Sequence, residues 1–234
     1  MDLSRILVGG HRGLRVEYPD NTLAGILAAR DVCDLVELDT RRTSDGVIVL
    51  SHDAVLDGHV IIETPWGILE TVDVGGGHRP ARFEHLLDLI GDFPLDIEIK
   101  NDPKDPDFDP DFTFPLSVAG LARPQDVVTS FHWPTMDAIR SAYPGLRTGL
   151  LVEPDGSLEA AVGRAAASGH QVVAPHWSLL EGESVIESVL EQGLDIVAWT
   201  VNEEDRAIAL AEAGVSTIVS DDPGRIRRTL RRHT

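Results

Sequence analysis

Two short segments, Leu35-Val36-Glu37-Leu38-Asp39 and Asp96-Ile97-Glu98-Ile99-Lys100, alternate apolar and charged residues and hold the side chains best suited to chemistry. In a β-strand, residues i and i+2 share a face. Glu37 with Asp39, and Glu98 with Lys100, therefore point one way while Val36, Leu38, Ile97 and Ile99 point the other. Each pair reads as closing a buried strand. Buried charge is costly unless it is paired or binds a metal. Three carboxylates and one ammonium on a common face thus point to a metal and anion site, or else to an internal salt-bridge cluster. Two histidines favour the site. His11 follows the apolar run 6–10, with Arg12 and Gly13 behind it, and His52 follows the run 47–51, with Asp53 next. Oxygen donors alone favour Mg²⁺ or Ca²⁺ over zinc, so one such ion is expected on Glu37, Asp39 and Glu98. Imidazole titrates near neutral pH and suits proton transfer.

These side chains need strands to carry them, and strand-like runs alternate with helix-like ones along the chain. Strands are expected over 6–10, 35–39, 96–100, 126–131, 147–152, 171–175, 195–201 and 216–220. Amphipathic stretches fall over 22–29, 83–89, 114–121, 135–142, 158–167, 184–192, 205–213 and 224–231. Continuous hydrophobic strands in eight βα units imply an α/β fold, a TIM-type (β/α)8 barrel, spanning 1–234 as one domain. An open doubly wound sheet would carry a glycine-rich nucleotide loop after its first strand, and His11-Arg12-Gly13 is not one. Active sites of such barrels sit at the C-terminal strand ends, where every residue named above falls. The stretch 101–111 alternates Asp and Pro. It reads as a solvated turn-rich loop, with a second cation site as the alternative.

The motifs in their order resemble the glycerophosphodiester phosphodiesterase family. The matching stretches are His11-Arg12-Gly13, Pro19-Asp20-Asn21-Thr22, Glu37-x-Asp39, Thr43-Ser44-Asp45-Gly46 leading to His52-Asp53, and Ile97-Glu98-Ile99-Lys100. Then come Ser130-Phe131, Trp199-Thr200-Val201-Asn202 and Ser220-Asp221-Asp222-Pro223. The resemblance implies metal-dependent hydrolysis of glycerophosphodiesters to an alcohol and glycerol 3-phosphate. It implies His11 as base and His52 as acid, with a glycerol hydroxyl attacking to give a cyclic phosphate that water opens. From the residues alone, which histidine is acid and which base stays open. It implies a small insertion over the barrel mouth, roughly 53–80. Leu56-Asp57-Gly58 stands where the family often shows Arg-Thr-Thr, and Asp20 where it usually shows Glu. Arg12 and Lys100 are the expected phosphate-binding cations. Trp199 either lines the pocket for the alcohol or packs in the core, and His132, Trp133, His176 and Trp177 either shape headgroup choice or pack the rim. A lysophospholipase D-like phosphodiesterase or lyase, and a non-catalytic phosphate-binding barrel, are the alternatives.

Bulk composition narrows the partners. The net charge of -19 argues against nucleic acid and requires locally positive groups to hold a small phosphodiester. Of 20 lysines and arginines only Lys100 and Lys104 are lysine, so a compact ammonium beside Glu98 stands out. The single cysteine, Cys33, rules out an internal disulfide framework and fits a reducing compartment. It reads as a packed small hydrophobe. No run approaches the roughly 20 apolar residues of a membrane helix, and Ile6-Leu7-Val8 is too short for a signal sequence. A cytoplasmic protein without stable membrane insertion is expected. Oligomeric state is not legible.

Overall fold

In a computed structural model, residues 3–233 are described. The apolar runs form β1 (Leu7–His11), β2 (Leu35–Arg42), β3 (Ile48–Leu50), β4 (Val55–Leu56), β5 (His59–Val60), β6 (Ala81–Arg82) and β7 (Leu95–Ile99), followed by β8 (Val127–Ser130), β9 (Arg147–Val152), β10 (Val172–Pro175), β11 (Asp195–Ala198) and β12 (Thr217–Ser220). Eight of them, β1, β2 and β7–β12, make a parallel ring. β1 closes it by pairing with β12, Val8 opposite Ile218, and with β2, Gly10 opposite Val36.

The helices are α1 (Leu23–Ala29), α2 (Trp66–Leu69), α3 (Phe83–Ile90), α4 (Thr113–Ala119), α5 (Trp133–Ala142), α6 (Leu158–Ser168), α7 (Glu183–Leu190), α8 (Glu204–Glu212) and α9 (Pro223–Arg232). All but α2 follow a barrel strand or its extension and coat the ring. Capping side chains set where several begin. Thr22 accepts from the Gly25 N–H, Ser157 from Ala160, and Asp222 from Arg225, each satisfying a donor the first turn leaves open.

The ring has two distinct cores. Val36, Leu38, Ile97 and Ile99 face outward into the large layer beneath the helices. The interior is split. Over β8–β12 it is apolar, with Val127, Leu151, Val172, Ala174, Val197 and Val219 packed together. Over β2 and β7 it is charged, because Glu37, Asp39, Asp96 and Glu98 share the opposite parity to the outward residues. That asymmetry puts the chemistry on one side of the barrel mouth.

Three expectations need correcting. Glu37-x-Asp39 does not close its strand. β2 runs on to Arg42 because β3 lies antiparallel on its extension, Thr40 opposite Leu50, with β6 paired beyond. β11 stops at Ala198 rather than 201, where the chain turns from barrel register into the mouth loop, although Trp199 keeps one bridge to His176. Residues 101–111 are not a plain solvated loop, since Asp107 and Asp109 are buried and bonded. After β3, the β4–β5 hairpin and α2 hold Val49, Ile61 and Leu69 in a small core of their own.

Candidate active site

The turn after β1 is built on unusual backbone. Arg12 has φ 55 and Gly13 has φ 100, so the chain reverses within two residues of His11. Gly13 must be glycine, because a Cβ there would meet the Gly25 backbone at 2.9 Å. The reversal aims the Arg12 N–H at Glu37 Oε2, 2.9 Å away. Asn21, also left-handed at φ 58, donates to Asp39 Oδ2 at 2.8 Å and accepts the Asp39 N–H at 3.1 Å. The Pro19-Asp20-Asn21-Thr22 turn is thereby bolted to β2 while Thr22 starts α1. Asp20 accepts from Arg12 Nη1 at 3.1 Å and from Arg15 Nε at 2.7 Å.

Glu37, Asp39 and Glu98 each offer an oxygen, and the three lie within 4.8 Å of one another. Ligands at about 2.0–2.6 Å from one hard cation span about that distance, so the set fits one Mg²⁺ or Ca²⁺. Lys100 Nζ stands 2.9 Å from Asp39 Oδ1 and 2.5 Å from Glu98 Oε1. Both oxygens are buried and face the Lys100 ammonium. Burial and the charges of Asp39 and Glu98 push Glu37 well above the usual carboxylate range. Burial lifts Glu98 to about 7 against the pull of Lys100, and lifts Asp96 to about 7 against its hydrogen bond from Thr129. Burial also opposes charge on Asp39, yet Lys100 and Arg12 hold it ionised well below the usual value. Lys100 is raised by Glu98 and Asp39 in spite of its own burial. Burial and mutual repulsion thus work against ionising Glu37 and Glu98 together, and a cation held among these oxygens would favour their charged forms.

His11 Nδ1 lies 2.8 Å from Asp221 Oδ1, and its Nε2 is 4.0 Å from Glu37 Oε2 at the cavity wall. Burial works against charge on Asp221, but hydrogen bonds from His11 and Asn202 hold it low and ionised. An ionised acceptor there holds the proton of Nδ1, so in the neutral ring Nε2 is the nitrogen that can accept one. His52 Nδ1 pairs with Asp53 Oδ1 at 2.7 Å. Burial, together with the charges of Lys100 and Arg12, makes His52 a somewhat stronger acid than a free histidine.

A cavity of about 580 Å³ joins these groups, with His11, Arg12, Glu37, His52, Glu98 and Lys100 on one wall and Phe131, Leu151, Val197 and Trp199 on the other. Trp199 both lines the cavity and is anchored. Its indole donates to the Ala174 carbonyl at 2.7 Å, and its ring meets Phe131 edge-on at 5.5 Å. His132 also lines the cavity, while Trp133 donates to the Leu151 carbonyl and stacks near Arg164 outside it. Cys33 is buried, its thiol donating to the Ala29 carbonyl and pushed up to about 12 by burial.

Sequence reasoning left four participants without roles. Asp221 was visible as an acid directly past the last strand, and Asn21 as part of the turn motif. Asp96 and Arg41 share the parity of Glu98 and Asp39, so the same i, i+2 rule reaches them. The partner of His11 lies 210 residues away, which no local pattern encodes.

The sequence profile described as the Glycerophosphoryl diester phosphodiesterase family matches residues 11–225. A glycerophosphodiester phosphodiesterase of Caldanaerobacter subterraneus subsp. tengcongensis is 26% identical over 94% of this chain and 95% of its own. A crystal structure from Silicibacter pomeroyi superposes with a TM-score of 0.84 at 27% identity, covering 97% of this chain and 94% of that one. An Oleispira antarctica phosphodiesterase, solved with the product sn-glycerol-3-phosphate, shares the fold with a TM-score of 0.82 at 22% identity, covering 96% of each chain.

Proposed function

Since the chain belongs to the glycerophosphoryl diester phosphodiesterase family, we propose that it hydrolyses glycerophosphodiesters to glycerol 3-phosphate and an alcohol, using one Mg²⁺ or Ca²⁺ on Glu37, Asp39 and Glu98. The supporting observation is convergence. Two histidines with carboxylate partners, two cations, and Glu37 and Glu98 line one cavity opposite an apolar wall, with Asp39 buried beside the two glutamates to complete the carboxylate cluster.

The ion would neutralise charge on the phosphoryl oxygens and orient them. Arg12 and Lys100 supply fixed positive charge beside it, in a protein whose net charge of -19 otherwise repels the substrate. His11 takes the proton of the neighbouring glycerol hydroxyl on Nε2, because Asp221 occupies Nδ1 and stabilises the imidazolium that forms. The hydroxyl oxygen attacks phosphorus and the bond to the departing alcohol breaks. His52 gives that alkoxide its proton. The cyclic phosphate then opens with the roles reversed: His52 takes a proton from water and His11 returns one to the glycerol oxygen. Trp199 and Phe131 form the side of the cavity for the alcohol. We read 1–234 as one domain, with residues 53–80 covering part of the mouth. A reducing cytoplasmic setting fits the single buried cysteine, and among the described residues no helix is long and apolar enough to cross a membrane.

Activity on a glycerophosphodiester should vanish in EDTA and return with Mg²⁺ or Ca²⁺. Calorimetry should give one ion per chain, lost in Glu37→Gln, Asp39→Asn and Glu98→Gln. Full turnover in chelator would reject the ion.

A further inference from the structure

Arg41 is a charged residue with almost no access to solvent, 3% exposed, and it sits two residues beyond Asp39 on the same face of β2. Its guanidinium ties two other pieces of chain to β2. Nε donates to the backbone carbonyl of His52 at 2.9 Å. Nη1 donates to both carboxylate oxygens of Asp107 at 2.7 and 2.8 Å, and Nη2 to Asp105 at 2.8 Å. Asp105 and Asp107 belong to the loop that leaves β7 directly after Lys100. The fork of donors is thus spread between the loop that follows Lys100 and the segment carrying His52.

His52 needs such support. It hangs from β3, which is not part of the barrel ring, and its side chain is 42% exposed. Its imidazole partner Asp53 is more exposed still, so that pair alone is too weakly held to fix the ring. The backbone on either side of His52 is pinned instead, by Ser51 N–H on the Asp39 carbonyl at 3.1 Å and by Arg41 on the His52 carbonyl.

We propose that Arg41 is a positioning residue for proton donation. Clamped by Asp107, it fixes the backbone of His52 relative to Lys100 and the carboxylates, so that the imidazole meets the leaving oxygen. This rests on His52 being the acid. A shift of about 1 Å in a catalytic group costs on the order of 10²-fold, so a buried clamp has a measurable effect. Lysine at this position keeps a positive charge for Asp107 but has no Nε, and so loses the bond to His52.

Two substrates sharing the glycerol 3-phosphoryl group separate the outcomes: an alkyl ester, whose alkoxide must be protonated to leave, and a p-nitrophenyl ester, whose phenolate leaves unprotonated. His52→Gln should slow the alkyl ester far more than the nitrophenyl ester. If it slows both alike, His52 is not the acid, and that reading falls together with this one. If His52→Gln shows the split, Arg41→Lys should show the same split in kcat, about 10²-fold on the alkyl ester, with KM unchanged for both. Adding Arg41→Lys to His52→Gln should then cost nothing more on the alkyl ester. Equal losses on both esters, no loss, or an additive double variant would overturn the assignment of Arg41. Should Arg41→Lys not fold, Asp107→Asn, which keeps the bond to His52 but loosens the clamp, must show the split in smaller measure. Its absence would reject the proposal equally.

Discussion

Two histidines in this barrel each face an aspartate, one at either end, and they differ in what the second ring nitrogen meets. At the C-terminal rim, His11 gives Nδ1 to Asp221 and leaves Nε2 at the wall of a cavity, with no hydrogen bond among the described residues. At the opposite end, His170 donates from Nε2 to Asp137 at 3.0 Å, accepts the Thr148 hydroxyl on Nδ1 at 2.8 Å, and is buried. On paper Thr148, His170 and Asp137 form a hydroxyl–imidazole–carboxylate relay like that of a hydrolase. Thr148 is fully buried, however, so no substrate can reach it. A buried relay with no open nitrogen joins the N-terminal ends of strands; a pair with an open nitrogen at a cavity can move protons.

The largest effects should separate these ends. His11→Ala and His52→Ala should each lower kcat by roughly 10²–10⁴-fold with melting temperature little changed. His170→Ala should do the reverse, melting earlier with kcat intact. Near wild-type turnover in either rim variant would move that residue to the structural side of the comparison.

Lys100 tests the middle ground, since it lies at the rim yet is paired like a core residue, with Asp39 and Glu98. Lys100→Met keeps most of the stem and removes the charge. If the ammonium meets charge developing on the phosphoryl group, kcat should fall by about 10²-fold, the scale of losing one oxyanion donor. If it only balances Glu98, melting temperature should fall while kcat/KM holds. Both measurements on one preparation decide the case.

The βα alternation and the i, i+2 parity of Glu37, Asp39, Glu98 and Lys100 were legible because both arise from neighbours in sequence. The eight expected helices agree to within about two residues, the usual scatter of helix ends, while α2 was not among them. What escaped was tertiary. β2 runs past Asp39 only because β3 folds back on it. The acids at 105–109 read as turn formers, since nothing local says that Arg41 will meet Asp107 66 residues away, or that Asp109 will accept the Phe114 N–H at the start of α4. Trp199 posed a choice between pocket and packing that the structure dissolves. The indole lines the cavity while its N–H is held by the Ala174 carbonyl and its ring rests against Phe131.

The smallest expected effect is also the sharpest contrast between the two ends, and it lies in the pH dependence of stability. Burial pushes the His170 imidazole below its ordinary value, more strongly than Asp137 pulls it up. The unfolded chain, with a histidine near pKa ~6.5, therefore binds the proton more readily than the fold does. Its contribution to stability is intact at neutral pH and declines as pH falls through that value. His170→Gln removes the titration and costs part of the network, since the Thr148 hydroxyl and Asp137 lose a partner with matched geometry. A loss of about 1–3 kcal/mol is the scale for a buried polar group left poorly paired. At about 2–4 °C per kcal/mol for a chain of this size, the variant should melt several degrees early at pH 7. The gap to wild type should narrow toward pH 5, because only the wild type loses stability by charging His170. A gap that widens on acidification would mean that Asp137 outweighs burial, and that the His170 pair is held as ions rather than as a neutral relay.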